Sequence, residues 1–132
     1  MFGGETMIEF AVNGTLMRGL KLNNNLLNVG AVFDRESSTA PCYRLWSIKD
    51  QYPGMLRDLE GGKSISVEIW QVPLGGIADI LIQEPPGLCV GKIELHDKKV
   101  VLGVLAEPFL VVGQKEITIY GGWRNYDQSC HQ

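Results

Sequence analysis

The stretch Ile8-Glu9-Phe10-Ala11-Val12-Asn13-Gly14-Thr15-Leu16-Met17-Arg18-Gly19 carries the reading of this chain. Ile8 to Val12 is a short apolar run of strand type that stops at Asn13-Gly14, a turn signal. Gly14 and Gly19 then bracket Thr15, Leu16, Met17 and Arg18. Glycine lets a backbone turn sharply and present successive N–H groups to one point. Such a cluster holds a carboxylate or a developing oxyanion. Thr15 adds a hydroxyl donor, and Arg18 a guanidinium able to pair with a substrate carboxylate. The same spacing also fits a plain strand-to-helix turn with Arg18 in solvent.

Outward from this loop, strand signals dominate. Leu20 to Val29 is asparagine-rich, with apolar residues at 20, 22, 26, 27 and 29; it reads as a short helix that Gly30 closes. Ala31 to Thr39 and Tyr43 to Ile48 read as strands split by Ala40-Pro41, with turns at Gln51 to Gly54 and at Gly61-Gly62. Ser64 to Val72 alternates, placing Ile65, Val67 and Ile69 on one face and Ser66, Glu68 and Trp70 on the other. Pro73 ends that strand and opens a helix over Leu74 to Ile82, which Pro85-Pro86-Gly87 breaks. Leu88 to Leu95 and Lys99 to Ala106 form a hairpin around His96-Asp97-Lys98, and Glu116 to Gln128 holds a short terminal helix. Strands lie before and after a few short helices without regular alternation. The predicted class is therefore α+β with a mixed or closed sheet, not a doubly wound fold.

The 132 residues make one domain, 1–132, long enough to bury a core without disulfide or metal staples. Twelve basic against fifteen acidic residues, and no Lys/Arg run longer than Lys98-Lys99, argue against a nucleic-acid partner. No apolar stretch approaches the roughly 18 residues of a membrane helix. The opening Met1 to Phe10 lacks a signal-peptide pattern, so a cytoplasmic chain without a membrane partner is expected. Cys42, Cys89 and Cys130 are widely spaced with no CxxC pair, and His96 and His131 are the sole histidines. A disulfide framework, a metal site and a histidine triad all lack material. The sequon Asn13-Gly14-Thr15, without a secretory signal, carries no glycosylation expectation.

The strand followed by NGTLMRG at 13–19 resembles the YGTLMRG signature of the gamma-glutamyl cyclotransferase-like superfamily, and Tyr52-Pro53-Gly54-Met55 is similar to its later Tyr-Pro-small segment. From residue 8 to about 126 the chain resembles the C-terminal domain of allophanate hydrolase, which shares that fold. The matching pieces are residues 19–23 (GLKLN), 39–45 (TAPCYRL), 67–73 (VEIWQVP), 91–95 (GKIEL) and 117–124 (ITIYGGWR). The amidase half, with its serine and lysine machinery, has no counterpart here, so the chain reads as the small domain alone. The resemblance implies a small closed mixed β-sheet or barrel with a few short helices and a pocket lined by the loop 13–19. It implies loss of carbon dioxide from the N-carboxylated carbamate that the amidase half leaves, with no metal or organic cofactor.

The resemblance also points to individual residues. The histidine of the allophanate hydrolase Leu-Asn-His segment is Asn24 here, which cannot titrate near neutral pH. The acidic residue of the cyclotransferases falls near Glu84, where a pocket carboxylate would take a proton from a substrate amine. The plain alternative for Glu84 is a solvated carboxylate at a helix end. The first-strand tyrosine is Asn13, and Val90 or Cys89 stands where an aromatic is usual. Glu68 is a second acid/base candidate if its face points inward. Arg44 is a candidate clamp on a carboxylate, or a structural ion pair. Tyr43, Tyr120 and Trp123 are candidates to line the pocket, or core aromatics. Three functions follow: decarboxylation or hydrolysis of an N-carboxylated carbamate-like acid, gamma-glutamyl cyclotransferase-like acyl transfer, and a non-catalytic small-acid-binding or amidase-partner module. An exposed strand edge or the C-terminal segment offers a route to a homodimer.

Overall fold

A computed structural model describes residues 6–131; residues 1–5 and 132, the ends of the expected 1–132 domain, lie outside the described residues. In chain order the strands are β1 (Met7–Val12), β2 (Val32–Ser38), β3 (Tyr43–Ile48), β4 (Tyr52–Arg57), β5 (Ser66–Pro73), β6 (Leu88–Glu94), β7 (Val100–Ala106) and β8 (Lys115–Glu116). The helices are α1 (Asn24–Leu27), α2 (Gly76–Gln83) and α3 (Trp123–Cys130). One sheet runs β2-β5-β1-β7-β6 and a smaller one β4-β3-β8. No helix among the described residues is long and apolar enough to cross a membrane.

The class is α+β with a mixed sheet: β1 pairs antiparallel with β5 and parallel with β7. The sheet does not close into a barrel, which corrects that part of the expectation. Its edge strands meet at one end alone, where Thr39 bridges Leu95, Ala40 N–H donates to the Glu94 carbonyl (2.9 Å) and His96 N–H to that of Ser38 (3.0 Å). Beyond that point β2 and β6 diverge into separate edges.

β1 sits at the centre because Phe10, Ala11 and Val12 are apolar without alternation, and a strand covered on both faces needs that composition. Its closest approach is to β7, where Gly103 lies opposite Ala11; a Cβ on Gly103 would sit 2.7 Å from the Ala11 carbonyl oxygen. Of the predicted turn over Gln51 to Gly54, Gln51 lies in a turn, and Tyr52, Pro53 and Gly54 are instead the start of β4. The chain reverses one step earlier, at Lys49 and Asp50, both at positive φ (53° and 58°), as a tight hairpin turn requires. Pro53 is tolerated because β4 is an edge strand, where a missing N–H breaks no ladder. The alternation of β5 does not divide core from solvent: Val67, Glu68, Ile69 and Trp70 are all buried. Helix α2 begins at Gly76, later than expected, where its backbone lies against Val29: a Cβ on Gly76 would lie 3.0 Å from the Val29 side chain.

Candidate functional site

The loop between β1 and α1 has two sides. On the first, Asn13, Gly14, Thr15 and Leu16 line a small pocket with Tyr52, Pro53, Glu84, Leu88 and Val104. Its water-accessible volume is about 20 Å³, room for one small group. Gly14 is required because Pro53 packs onto it; a Cβ there would lie 2.6 Å from the proline Cδ. The loop's carbonyls are spent internally, that of Gly14 on the Met17 N–H (3.0 Å) and that of Thr15 on the Leu22 N–H (2.9 Å). Among the described residues none accepts a hydrogen bond from the N–H groups of Gly14, Thr15 or Leu16. Three successive amides without a partner, in residues that line a pocket, are available to hold an anion.

Glu84 closes the pocket from the end of α2. Its backbone is extended (φ −77°, ψ 153°), because Pro85 disfavours a helical residue before it. The turn carries Glu84 off the helix and into a half-buried position. Burial pushes its carboxyl up to about 7. Tyr52, also in the pocket, has its phenol raised first by burial and then by the Glu84 charge.

On the other side of the loop, Glu68 is 3% exposed. Its Oε1 accepts from the Arg18 N–H (2.9 Å) and the Trp70 indole (3.1 Å), its Oε2 from Arg18 Nε (3.1 Å) and Arg124 Nη2 (3.2 Å). Arg124 Nη2 also donates to the Arg18 carbonyl (3.0 Å). The Arg18 guanidinium lies 3.7 Å over the Phe33 ring, and Asn23 Nδ2 ties α1 to the Leu16 carbonyl (2.8 Å). These contacts fix Leu16 and Arg18, the half of the loop that follows the amides. A cavity of about 180 Å³ opens beside them, lined by Met17, Ser37, Ser66, Glu68, Trp123 and Arg124 among others.

The structure thus brings Asn13, Gly14, Thr15, Leu16 and Glu84 together in one pocket and places Met17, Glu68 and Trp123 around the other. Arg18 binds Glu68, and Gly19 supplies the positive φ (74°) that ends the turn. Asn24, Tyr43, Arg44 and Tyr120 line neither cavity. Asn24 is exposed at the start of α1. Tyr43 is sealed in the core, its hydroxyl accepting from Arg57 Nη2 (2.8 Å) and the Glu94 N–H (2.9 Å). Arg44 pairs with Asp58 (3.1 Å) and Glu116 (2.9 Å), and Tyr120 packs edge-on against Tyr126. Sequence reasoning missed Tyr52, Pro53, Leu88 and Val104 as pocket lining, and Arg124 as a clamp on the loop. The Tyr-Pro pair was visible, but its partner loop lies far away in sequence. Among the described residues no group of three or more His, Cys, Asp or Glu side chains could hold a metal ion.

A family model described as the allophanate hydrolase C-terminal domain matches residues 8–128. The chain is 28% identical over 129 residues to the urea amidolyase of Lachancea kluyveri, covering 92% of this chain and 7% of that protein. The chain therefore spans a small fraction of the length of the curated relatives it matches. Among solved structures, a uropathogenic E. coli-specific protein is 55% identical at a TM-score of 0.92, covering 93% of this chain and 97% of that one. Kluyveromyces lactis allophanate hydrolase is 27% identical at a TM-score of 0.90, covering 94% of this chain and 21% of that one.

Proposed function

Since this chain belongs to the allophanate hydrolase C-terminal domain family, we propose that it decarboxylates a small N-carboxylated acid of the kind an amidase acting on allophanate leaves behind. The observation that carries this reading is one pocket holding both the free amides of Gly14, Thr15 and Leu16 and a carboxyl at about 7. A dianionic N-carboxycarbamate places one carboxylate on the amides. The bond from nitrogen to the other carboxyl carbon breaks, and its electron pair goes to nitrogen. Glu84, protonated in part near neutrality, gives its proton to that nitrogen. Carbon dioxide leaves, and carbamate remains on the loop. Desolvation around Glu84 favours release of neutral carbon dioxide from a charged carboxylate. Glu68, held by four donors, positions the loop and transfers no proton. Asn24, exposed on α1, takes no part in the step.

The test supplies allophanate to an allophanate hydrolase truncated to its amidase half, with and without this chain, and follows ammonia and carbon dioxide together. The expected result is carbon dioxide release that no longer lags ammonia, with the gain lost in Glu84→Gln. An unchanged lag with the wild-type chain overturns the reading.

Glu84 also favours a second reading, in which its carboxylate takes a proton from the α-amine of a gamma-glutamyl compound and the amides hold the oxyanion. Release of 5-oxoproline from gamma-glutamyl amino acids would favour this second reading over decarboxylation.

A further inference from the structure

Asn13 is polar and only 4% exposed, and it sits at the rim of the core where β1 ends. Its Nδ2 donates to the Val104 carbonyl (3.1 Å) and faces the Met55 sulfur (3.8 Å). Both partners are acceptors, so the atom facing them is the amide nitrogen, and the orientation of the side chain is determined. The oxygen, Oδ1, therefore points the other way. Among the described residues no donor reaches it, while none of their buried side-chain nitrogens or oxygens lacks a partner. Oδ1 is thus not sealed in the core, and Asn13 is one of the residues that line the pocket with Gly14, Thr15, Leu16 and Glu84.

We infer that Asn13 Oδ1 is a specificity-determining acceptor that reads an N–H on the bound acid, so the pocket takes carboxylates bearing a carbamoyl-type N–H in preference to their ester or hydrocarbon analogues. The inference rests on the proposed acid pocket and adds to it a requirement on the ligand. The amides of Gly14 to Leu16 are donors and select an anion; Oδ1 is an acceptor and selects a donor. A ligand with no N–H would bury Oδ1 against an apolar or acceptor group, an arrangement that a site built around hydrogen bonds rejects. The reading also explains why asparagine suits this position: its nitrogen is held by Val104 and Met55, which leaves one atom, and one polarity, for the ligand.

The experiment titrates isotope-labelled protein with two monoanions, malonamate and monomethyl malonate, and reads the amide shifts of Gly14, Thr15 and Leu16. Malonamate is expected to bind at least about tenfold more tightly, from the typical cost of an unmet buried acceptor. In Asn13→Leu, which keeps the branched shape and removes the acceptor together with the Nδ2 donor, the preference should fall to within about twofold. Equal binding of both acids to the wild type overturns the inference and leaves the acid pocket standing; so does a preference that survives Asn13→Leu. No shift at residues 14–16 with either acid overturns the pocket reading itself. The wild-type comparison decides the matter even where the variant fails to fold.

Discussion

Replacing Glu84 by Gln should make the chain more stable at alkaline pH relative to the wild type, and the size follows from the pocket. Burial raises the Glu84 carboxyl from 4.5 to about 7, with no compensating cation. The folded chain therefore binds this proton more tightly than the unfolded chain. The contribution to stability is fully present below about pH 4.5, falls as pH rises, and is lost once pH passes through about 7. At about 1.36 kcal/mol per unit, the whole range is worth about 3 kcal/mol. The assay is urea unfolding of wild type and Glu84→Gln at pH 5 and pH 8.5. The wild type should lose about 2 to 3 kcal/mol more than the variant between the two, the small shortfall arising because unfolded Glu84 is already partly ionised at pH 5. Other titrating groups cancel in this double difference. Parallel pH profiles for the two proteins would refute the claim that a desolvated carboxyl faces the pocket.

Gly14→Ala drives a Cβ to within 2.6 Å of Pro53 Cδ; it should cost about 1 to 3 kcal/mol in urea unfolding and displace the amide shifts of residues 14–16. An unchanged melting temperature and unchanged shifts would show that the loop does not pack on Pro53 as described. Glu68→Ala leaves Arg18, Arg124 and the Trp70 indole without their shared acceptor; it should cost about 3 kcal/mol and speed hydrogen exchange in the 13–19 loop. Exchange unaltered in that loop would reject Glu68 as its anchor. Arg44→Ala should leave binding of small acids unchanged, because its guanidinium is committed to Asp58 and Glu116 outside both cavities; a marked loss of acid binding would restore Arg44 as a substrate clamp.

Features that depend on neighbours along the chain were legible before the fold was known. The apolar run at Ile8 to Val12 with its glycine turn, the hairpin about His96-Asp97-Lys98 and the break at Pro85-Pro86 all act over a few residues, and all appear in the fold. The order of strand and helix signals was enough to set the α+β class. The tertiary structure decided what depends on residues far apart in sequence. Pro53 reads as a turn until β4 is seen at a sheet edge, where a missing N–H costs nothing. Glu68 alternates like a solvent-facing residue, yet Arg18 and Arg124, 50 and 56 residues away, bury it as the loop's anchor. Tyr43 and Arg44, plausible as pocket residues, are taken up by Arg57, Glu94, Asp58 and Glu116 instead. Glu84 and Asn13 are candidates in the sequence through the family resemblance, but their surroundings are not written there. One gains its character from desolvation and the other from Val104, 91 residues away, whose carbonyl holds its amide nitrogen. Burial and hydrogen-bond partnership are set by long-range packing, and local sequence patterns do not encode them.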